Sequence, residues 1–314
     1  NYQSHELDYI LRQSDSTTLF LIDRYRDTSF YETVRQIIPE LDSCKPGKTA
    51  SSKLPVLKNI VYIGNRESTP GMFKFSDLIA MGESVSEQDL DDRMKTLTDD
   101  DVINMQYTSG TTGNPKGAIR SHRGAANMAL VTTIELGIHR DDGALLVMPM
   151  CHANSLYFFG AFAYCGAATT VYSRKSFDPE ECVRTLASAD ATFTSLVPTH
   201  YIMMLALSNE VKARHDLSRV KKLMISSAPA RSESKHAVME MFRNSGLFEL
   251  YGSTEAGWVT MLHPREQFDK LGSVGRECVG SAPIKLLDET GSEVPDGETG
   301  ELYSCNPYTF DGYW

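Results

Sequence analysis

The sequence has little that would tie it to nucleic acid, to a membrane or to an oxidising compartment. Basic residues are in deficit: 31 Lys and Arg against 41 Asp and Glu give a net charge of −10. A nucleic-acid partner needs a basic footprint, so none is expected. A local site for a small anion is untouched by this, because such a site works by close contacts and not by the net field. The six cysteines (Cys44, Cys151, Cys165, Cys182, Cys278 and Cys305) are scattered and include no C-x-x-C pair. That argues against a disulfide framework or a zinc site and favours a reducing, cytoplasmic location. The most apolar stretch, residues 155–168, carries polar breaks and falls short of a membrane span, which leaves room only for transient contact at a membrane surface. There is no internal repeat and no low-complexity tract. The opening residues resemble neither a signal peptide nor a natural start: there is no Met, and the chain begins inside an amphipathic helix pattern.

What is present is an ordinary globular composition, 41% hydrophobic and 23% charged over 314 residues. That length exceeds one typical domain and predicts two or more subdomains. Short β-rich runs alternate with helical patterns. Strands are expected at residues 18–22, 59–63, 102–107, 144–148, 168–172, 191–197, 220–226 and 247–251. Asp178 followed by Pro179 and Glu180 reads as an N-cap, a first-turn proline and an acidic first turn, and Ser232 with Glu233 opens another helix. The alternation implies an α/β fold with mostly parallel sheets and helices on both faces. Near Gly272 the pattern changes to frequent Gly and Pro with short strands at residues 283–287 and 301–304, joined through a turn at 288–291. The expected division is residues 1–100 and 101–272 as two stacked α/β subdomains, with 273–314 as the start of a small β-subdomain. Residues 45–53 read as a polar loop and 83–101 as an acid-rich exposed segment.

The sharpest motif is Tyr107-Thr-Ser-Gly-Thr-Thr-Gly-Asn-Pro-Lys-Gly117, placed directly after an expected strand. Hydroxyls at Thr108, Ser109, Thr111 and Thr112, glycines at Gly110, Gly113 and Gly117, and the cation of Lys116 suit phosphate oxygens. Glycine lets backbone N–H groups converge on an anion, and the hydroxyls add donors. It is not the common P-loop, which runs Gly-Lys-Ser/Thr into a helix; here Pro115 precedes the lysine and Gly117 follows it. A bare Gly-rich loop would more often be a mobile connection, but eleven residues in this order favour a phosphate site. Two S-x-x-K strings, Ser218 to Lys221 and Ser232 to Lys235, lack the companion S-D-N and K-T-G elements and are read as chance; no G-x-S-x-G elbow occurs.

These residues resemble the signature of the AMP-binding superfamily of adenylate-forming enzymes, which includes acyl- and aryl-CoA synthetases, nonribosomal peptide adenylation domains and luciferases. Other segments follow in the same order. Leu250-Tyr-Gly-Ser-Thr-Glu-Ala-Gly257 is similar to the second signature of that superfamily. Ser226-Ser-Ala-Pro229 is similar to its Gly-Ala-Pro segment, with serines in place of glycines. Gly297-Glu-Thr-Gly-Glu-Leu302 and Asp311-Gly-Tyr-Trp314 resemble later segments, the first read as a turn-shaping element.

The resemblance implies residue roles. Thr108, Ser109, Gly110, Thr111, Thr112, Gly113 and Lys116 would hold the β- and γ-phosphates of ATP. Ser227, Ala228, Pro229, Glu249, Leu250, Tyr251 and Gly252 would surround the adenine, and Thr254 would lie near the α-phosphate. Glu255, with Thr108, would hold Mg²⁺, an ion that takes hard oxygen ligands from one or two carboxylates plus phosphates. Met148-Pro-Met-Cys-His-Ala-Asn154 lies where the superfamily leads into its acyl pocket. His152 is therefore the candidate gate, with Val197, the Pro-Thr-His that follows it, and Trp258 lining the pocket. The bland reading of the aromatic run after His152 is a buried helix, and both can hold. Thr254, Glu255, Lys116 and His152 are the residues expected to serve catalysis.

The implied reaction is ATP-dependent activation of a carboxylic acid as acyl-AMP with release of pyrophosphate, then thioester formation with coenzyme A. The overall pattern is most like bacterial fatty acyl-CoA synthetases. An aryl-acid ligase, a carrier-protein-loading adenylation domain, and a nucleotide-binding module without catalysis remain the alternatives. Relatives carry more sequence on both sides, including a ribose-binding aspartate and a small C-terminal lid domain with a catalytic lysine. These are not in the sequence, so the resemblance implies weak nucleotide binding and poor turnover for the chain as it stands. Chain length of the acid and oligomeric state are not legible.

Overall fold

The structure is a computed structural model and describes residues 3–108 and 113–314. Its described residues form two compact units. The first comprises residues 3–98, 113–117 and 314; the second comprises 99–108 and 118–313.

In the first unit a three-stranded parallel sheet takes the order Thr18–Ile22, Asn59–Ile63, Phe73–Lys74. The first two strands have the bounds expected from their β-branched and aromatic content. Helix Ser4–Gln13 begins with the Glu6 carboxylate accepting from Gln3 N (2.7 Å), so the amphipathic opening pattern is a capped helix. Helix Phe30–Ile37 is capped by Ser29, which accepts from Glu32 N. Its Tyr31, Val34 and Ile37 pack with Leu11, Leu21, Ile60 and Tyr62 into one core. Beyond the first strand, Asp23 accepts from Tyr62 Oη (3.1 Å) and pairs with Arg66, whose guanidinium lies 4.0 Å over the Tyr31 ring. The bond from Arg66 holds the Asp23 carboxyl below the usual carboxylate range. The acid-rich segment is exposed and forms helix Glu87–Lys95.

The second unit is built on a seven-stranded sheet ordered Arg276–Glu277, Gly257–Leu262, Gly246–Ser253, Lys222–Ser226, Phe193–Leu196, Gly143–Leu146, Ala168–Val171. The last five are parallel, and the first two close one edge antiparallel. Strand side chains alternate between faces, and the cores follow that period. Ala144, Leu146, Phe193, Met224 and Phe248 join one cluster with helices His122–Leu136 and Ala153–Cys165. Leu145, Leu196, Leu223, Ile225 and Leu247 join another with helices Pro179–Ser188, Pro198–Leu205 and Ser232–Met241. Burial on both faces explains why these strands read as apolar runs. Asp178 caps its helix as expected, accepting from Glu181 N (3.1 Å), with Pro179 in the first position.

Among the strands that were not expected, two bear on the motifs. Lys116–Ser121 begins inside the Gly-rich motif and pairs with Gly312–Tyr313. Gly257–Leu262 follows the second signature and forms a hairpin with Gly246–Ser253. Residues after 272 contribute an edge strand to the large sheet, a separate hairpin of Lys285–Leu287 with Glu301–Tyr303, and the short strand Gly312–Tyr313. The Gly-Glu-x-Gly-Glu element shapes this region. Gly297 has φ +89°, and a Cβ on Gly300 would lie 3.0 Å from the backbone of Leu286 and Leu287. No helix among the described residues is long and apolar enough to cross a membrane.

Candidate active site

Because five strands run parallel, their carboxyl ends lie along one rim of the large sheet, the edge where open α/β sheets bind ligands. Strand Gly143–Leu146 leads toward His152, Phe193–Leu196 to Val197, Lys222–Ser226 to Ser227, and Gly246–Ser253 carries Tyr251 and Gly252 before Thr254 and Glu255. Ser226 is buried and accepts from Asn154 Nδ2 (2.7 Å), which ties the end of its strand to the start of helix Ala153–Cys165. Ser227, Ala228 and Pro229 are exposed, and Ser227 holds a left-handed backbone at φ +69°. Glycine would adopt that conformation without cost, whereas serine is strained in it.

The second signature is a hairpin whose glycines have local reasons. Register shifts between Tyr251 and Gly252. A Cβ on Gly252 would sit 2.1 Å from the Gly257 carbonyl oxygen. Gly257 has φ +71°, and a Cβ there would meet Met128 Cε at 2.1 Å. In the turn, Ser253 Oγ accepts from Ala256 N (3.0 Å). The Thr254 carbonyl accepts from Arg120 Nη2 (3.0 Å) and from Tyr157 Oη (3.2 Å), and Arg120 Nη2 also reaches Tyr157 Oη (3.0 Å). The Glu255 carbonyl accepts from Phe310 N (2.8 Å), and its Oε1 accepts from Tyr313 Oη (2.7 Å). That bond, with a smaller contribution from burial, pushes the Tyr313 phenol up to about 12. Asp311, between these two residues, accepts from Ser121 N (2.6 Å) at the start of helix His122–Leu136.

His152 caps helix Ala153–Cys165, its Nδ1 accepting from Asn154 N (3.2 Å). The bond leaves the ring proton on Nε2, and desolvation by the surrounding protein lowers the imidazole pKa. Val197 is half-buried and directly precedes helix Pro198–Leu205. His200 stacks on Phe177 at 4.0 Å, and its pKa is also lowered by burial.

Two candidates have their side chains engaged elsewhere. Trp258 was expected to line an acyl pocket but is 4% exposed; its Nε1 donates to Thr132 Oγ1 (2.7 Å) and its ring stacks on Phe158. It is a core residue because Gly257–Leu262 is a fully buried strand. The Glu249 carboxylate is buried against Lys235, which also donates to Gln267 Oε1 (2.8 Å). Only its backbone remains for a ligand. Lys235 of the discarded S-x-x-K string is thereby a core residue.

Thr108 ends strand Val102–Thr108 in the second unit. Ser109, Gly110, Thr111 and Thr112 lie outside the described residues. Gly113 and Lys116 belong to the first unit, where the Pro115 carbonyl accepts from Tyr9 Oη (3.0 Å), and the Lys116 side chain is exposed. Among the described residues no group of three or more His, Cys, Asp or Glu gathers to hold a metal. A Mg²⁺ held by one carboxylate, phosphates and water needs no such group.

The AMP-binding enzyme profile matches residues 1–314. The chain belongs to the AMP-binding enzyme family. Among family members, YngI of Bacillus subtilis, named as an acyl-CoA synthetase, is 33% identical over 316 residues covering all of this chain and 57% of YngI. The medium-chain acyl-CoA ligase ACSF2 of Danio rerio, a mitochondrial protein, is 29% identical over 319 residues covering 100% of this chain and 52% of ACSF2. The chain thus spans about half the length of these relatives. The anthranilate CoA ligase AuaEII, solved in complex with anthranoyl-AMP, superposes with a TM-score of 0.80 at 22% identity, over all of this chain and 55% of its own. The α/β fold with mainly parallel sheets is that of the adenylate-forming enzymes.

Sequence reasoning missed Arg120, Tyr157, Asn154 and Tyr313. Arg120 had a signal: it is the one charged residue in the short run from Gly117 to Ser121 leading from motif to helix. Tyr157 and Asn154 lie in an apolar helix, where nothing in sequence separates a tethering hydroxyl or amide from packing.

Proposed function

We propose that this chain is the nucleotide-binding core of an ATP-dependent acid–thiol ligase. It would activate a carboxylic acid, a fatty acid in the first instance, as acyl-AMP and pass the acyl group to coenzyme A. The observation that carries this reading is the convergence of Ser227–Pro229, Tyr251–Glu255, Val197 and His152 on the carboxyl rim of one parallel sheet. Family membership supplies the reaction class.

In this reading the backbone at Tyr251 and Gly252, with Ser227 to Pro229, faces the adenine. Thr254 lies by the α-phosphate, and Thr108 through Lys116 hold the β- and γ-phosphates. Glu255, with Thr108, would hold Mg²⁺, whose charge would neutralise developing charge on the phosphates. An acid oxygen attacks the α-phosphorus, the bond to the bridging oxygen breaks, and pyrophosphate leaves with the electron pair. A thiolate then attacks the acyl carbon and AMP departs. No covalent enzyme intermediate is required, so the chain's task is positioning and charge stabilisation. His152, neutral with its proton on Nε2, can donate to the acid carboxylate at the mouth of the acyl site. The scattered cysteines, with no C-x-x-C pair, suit a reducing compartment such as the cytoplasm, which is part of this proposal.

The test is pyrophosphate release by the protein carrying this chain, with ATP, Mg²⁺ and a panel of aliphatic, aromatic and amino acids, with and without coenzyme A. Acid-dependent release, with thioester appearing only when coenzyme A is present, is the expected result. ATP binding without release for any acid would replace it with a non-catalytic nucleotide module.

A further inference from the structure

Arg120 is 1% exposed, and none of the described carboxylates pairs with it. Its Nη2 serves two acceptors, the Thr254 carbonyl and Tyr157 Oη, while Nε and Nη1 have no hydrogen-bond partner among the described residues. Its guanidinium lies 4.9 Å from the centre of the Tyr157 ring. Burying such a cation carries a desolvation penalty that a leucine or methionine of similar length would avoid. Stability alone therefore does not account for it. What the arginine does accomplish is specific: it grips the main-chain carbonyl immediately before Glu255. Tyr157, whose phenol pKa is raised by burial, grips the same oxygen with its hydroxyl. On the other side Phe310 N and Tyr313 Oη hold the carbonyl and carboxylate of Glu255.

We propose that Arg120 and Tyr157 are positioning residues that fix the Thr254–Glu255 turn, and with it the direction of the Glu255 carboxylate toward Mg²⁺. This rests on the nucleotide site proposed above. Both side chains are buried, and both act through the Thr254 carbonyl. Partners behind a metal ligand commonly cost roughly 10- to 100-fold in metal affinity or activity when removed.

The experiment is ATP–pyrophosphate exchange by the protein carrying this chain, titrated with Mg²⁺, for wild type, Arg120→Met, Arg120→Lys and Tyr157→Phe. ATP binding without Mg²⁺ and thermal midpoints are measured alongside. The expected result is a half-saturating Mg²⁺ concentration raised roughly tenfold or more in Arg120→Met. The shift is smaller in Arg120→Lys, which keeps one donor for the carbonyl, and metal-free ATP binding, which feels the turn only through Thr254, falls by a smaller factor than the Mg²⁺ dependence shifts. Tyr157→Phe keeps the ring and shifts in the same direction. Should Arg120→Met not fold, the lysine and phenylalanine variants carry the comparison. Variants that lose thermal midpoint while keeping the wild-type Mg²⁺ dependence would make both residues core packing only and overturn the inference. A wild-type protein with neither exchange nor Mg²⁺-dependent ATP binding overturns the nucleotide reading itself, and this inference with it.

Discussion

Single residues at the rim answer to backbone geometry before they answer to a ligand. Ser227 occupies a left-handed conformation that costs a non-glycine residue on the order of 1 kcal/mol, while glycine gives back some of that through unfolded-state entropy. Ser227→Gly is therefore expected to leave stability within about 0.5 kcal/mol of wild type or raise it. Ser227→Val, β-branched, should lose about 1–3 kcal/mol; urea unfolding of the two variants checks the contrast. Gly252 allows no such freedom. An alanine Cβ would press on a carbonyl oxygen of the paired strand at 2.1 Å, so Gly252→Ala should open the hairpin and cost more than about 2 kcal/mol, read by the same unfolding. His152 brings a pH dependence. Its pKa is lowered in the folded chain, so the unfolded chain binds the proton more readily. The contribution is absent well above the ordinary value of 6.5. It turns destabilising as pH falls through that value, until the folded-state pKa is reached. An NMR titration should place the His152 midpoint below that of an unfolded peptide.

At the scale of elements, the buried pair of Lys235 on helix Ser232–Met241 and Glu249 on strand Gly246–Ser253 joins one layer to the next. Removing one partner leaves a buried charge, so Lys235→Met should cost about 3–5 kcal/mol. Lys235→Met combined with Glu249→Leu should recover much of that loss, and a double-mutant cycle by chemical denaturation measures it. Elements were legible where composition and punctuation agreed. Strands Thr18–Ile22 and Asn59–Ile63 matched because runs of β-branched, aromatic and other apolar residues meet a polar residue or glycine at each end, and the Asp178–Pro179 cap matched because its chemistry is local. Lys116–Ser121 and Gly257–Leu262 were hidden. A Gly-rich motif reads as loop, and only pairing with distant strands makes those residues extended. The same logic divides the site. The motif strings announced Tyr251, Thr254 and Glu255. The tethers Arg120, Tyr157 and Tyr313 depend on contacts across 37 to 134 positions of sequence, for which a linear pattern has no sign.

On the scale of the whole molecule, the two faces of the large sheet carry separate cores, each with a buried thiol. Cys278 lies in one and Cys182 in the other. Burial pushes the Cys182 thiol up to about 12 and raises Cys278 as well. Thiol labelling of the native chain should modify exposed Cys151 and Cys305 first, and Cys182 and Cys278 only on opening. Mass spectrometry of the labelled sites over time would report each face separately. Equal rates for all six would mean the cores are not closed.

The placement of candidate ligand contacts on the ends of strands, with packing residues behind them, also bears on how such a protein can change. The stretch from Pro149 to His152, the Val197 to His200 segment and the residues after Ser226 lie beyond the carboxyl ends of their strands, at the rim. Exchanging them between relatives alters the surface offered to an acid while the two cores, which decide whether the chain folds, keep their residues. Under the ligase reading proposed above, selectivity for the acid would be a detachable trait, open to revision a segment at a time on a scaffold that need not be reinvented.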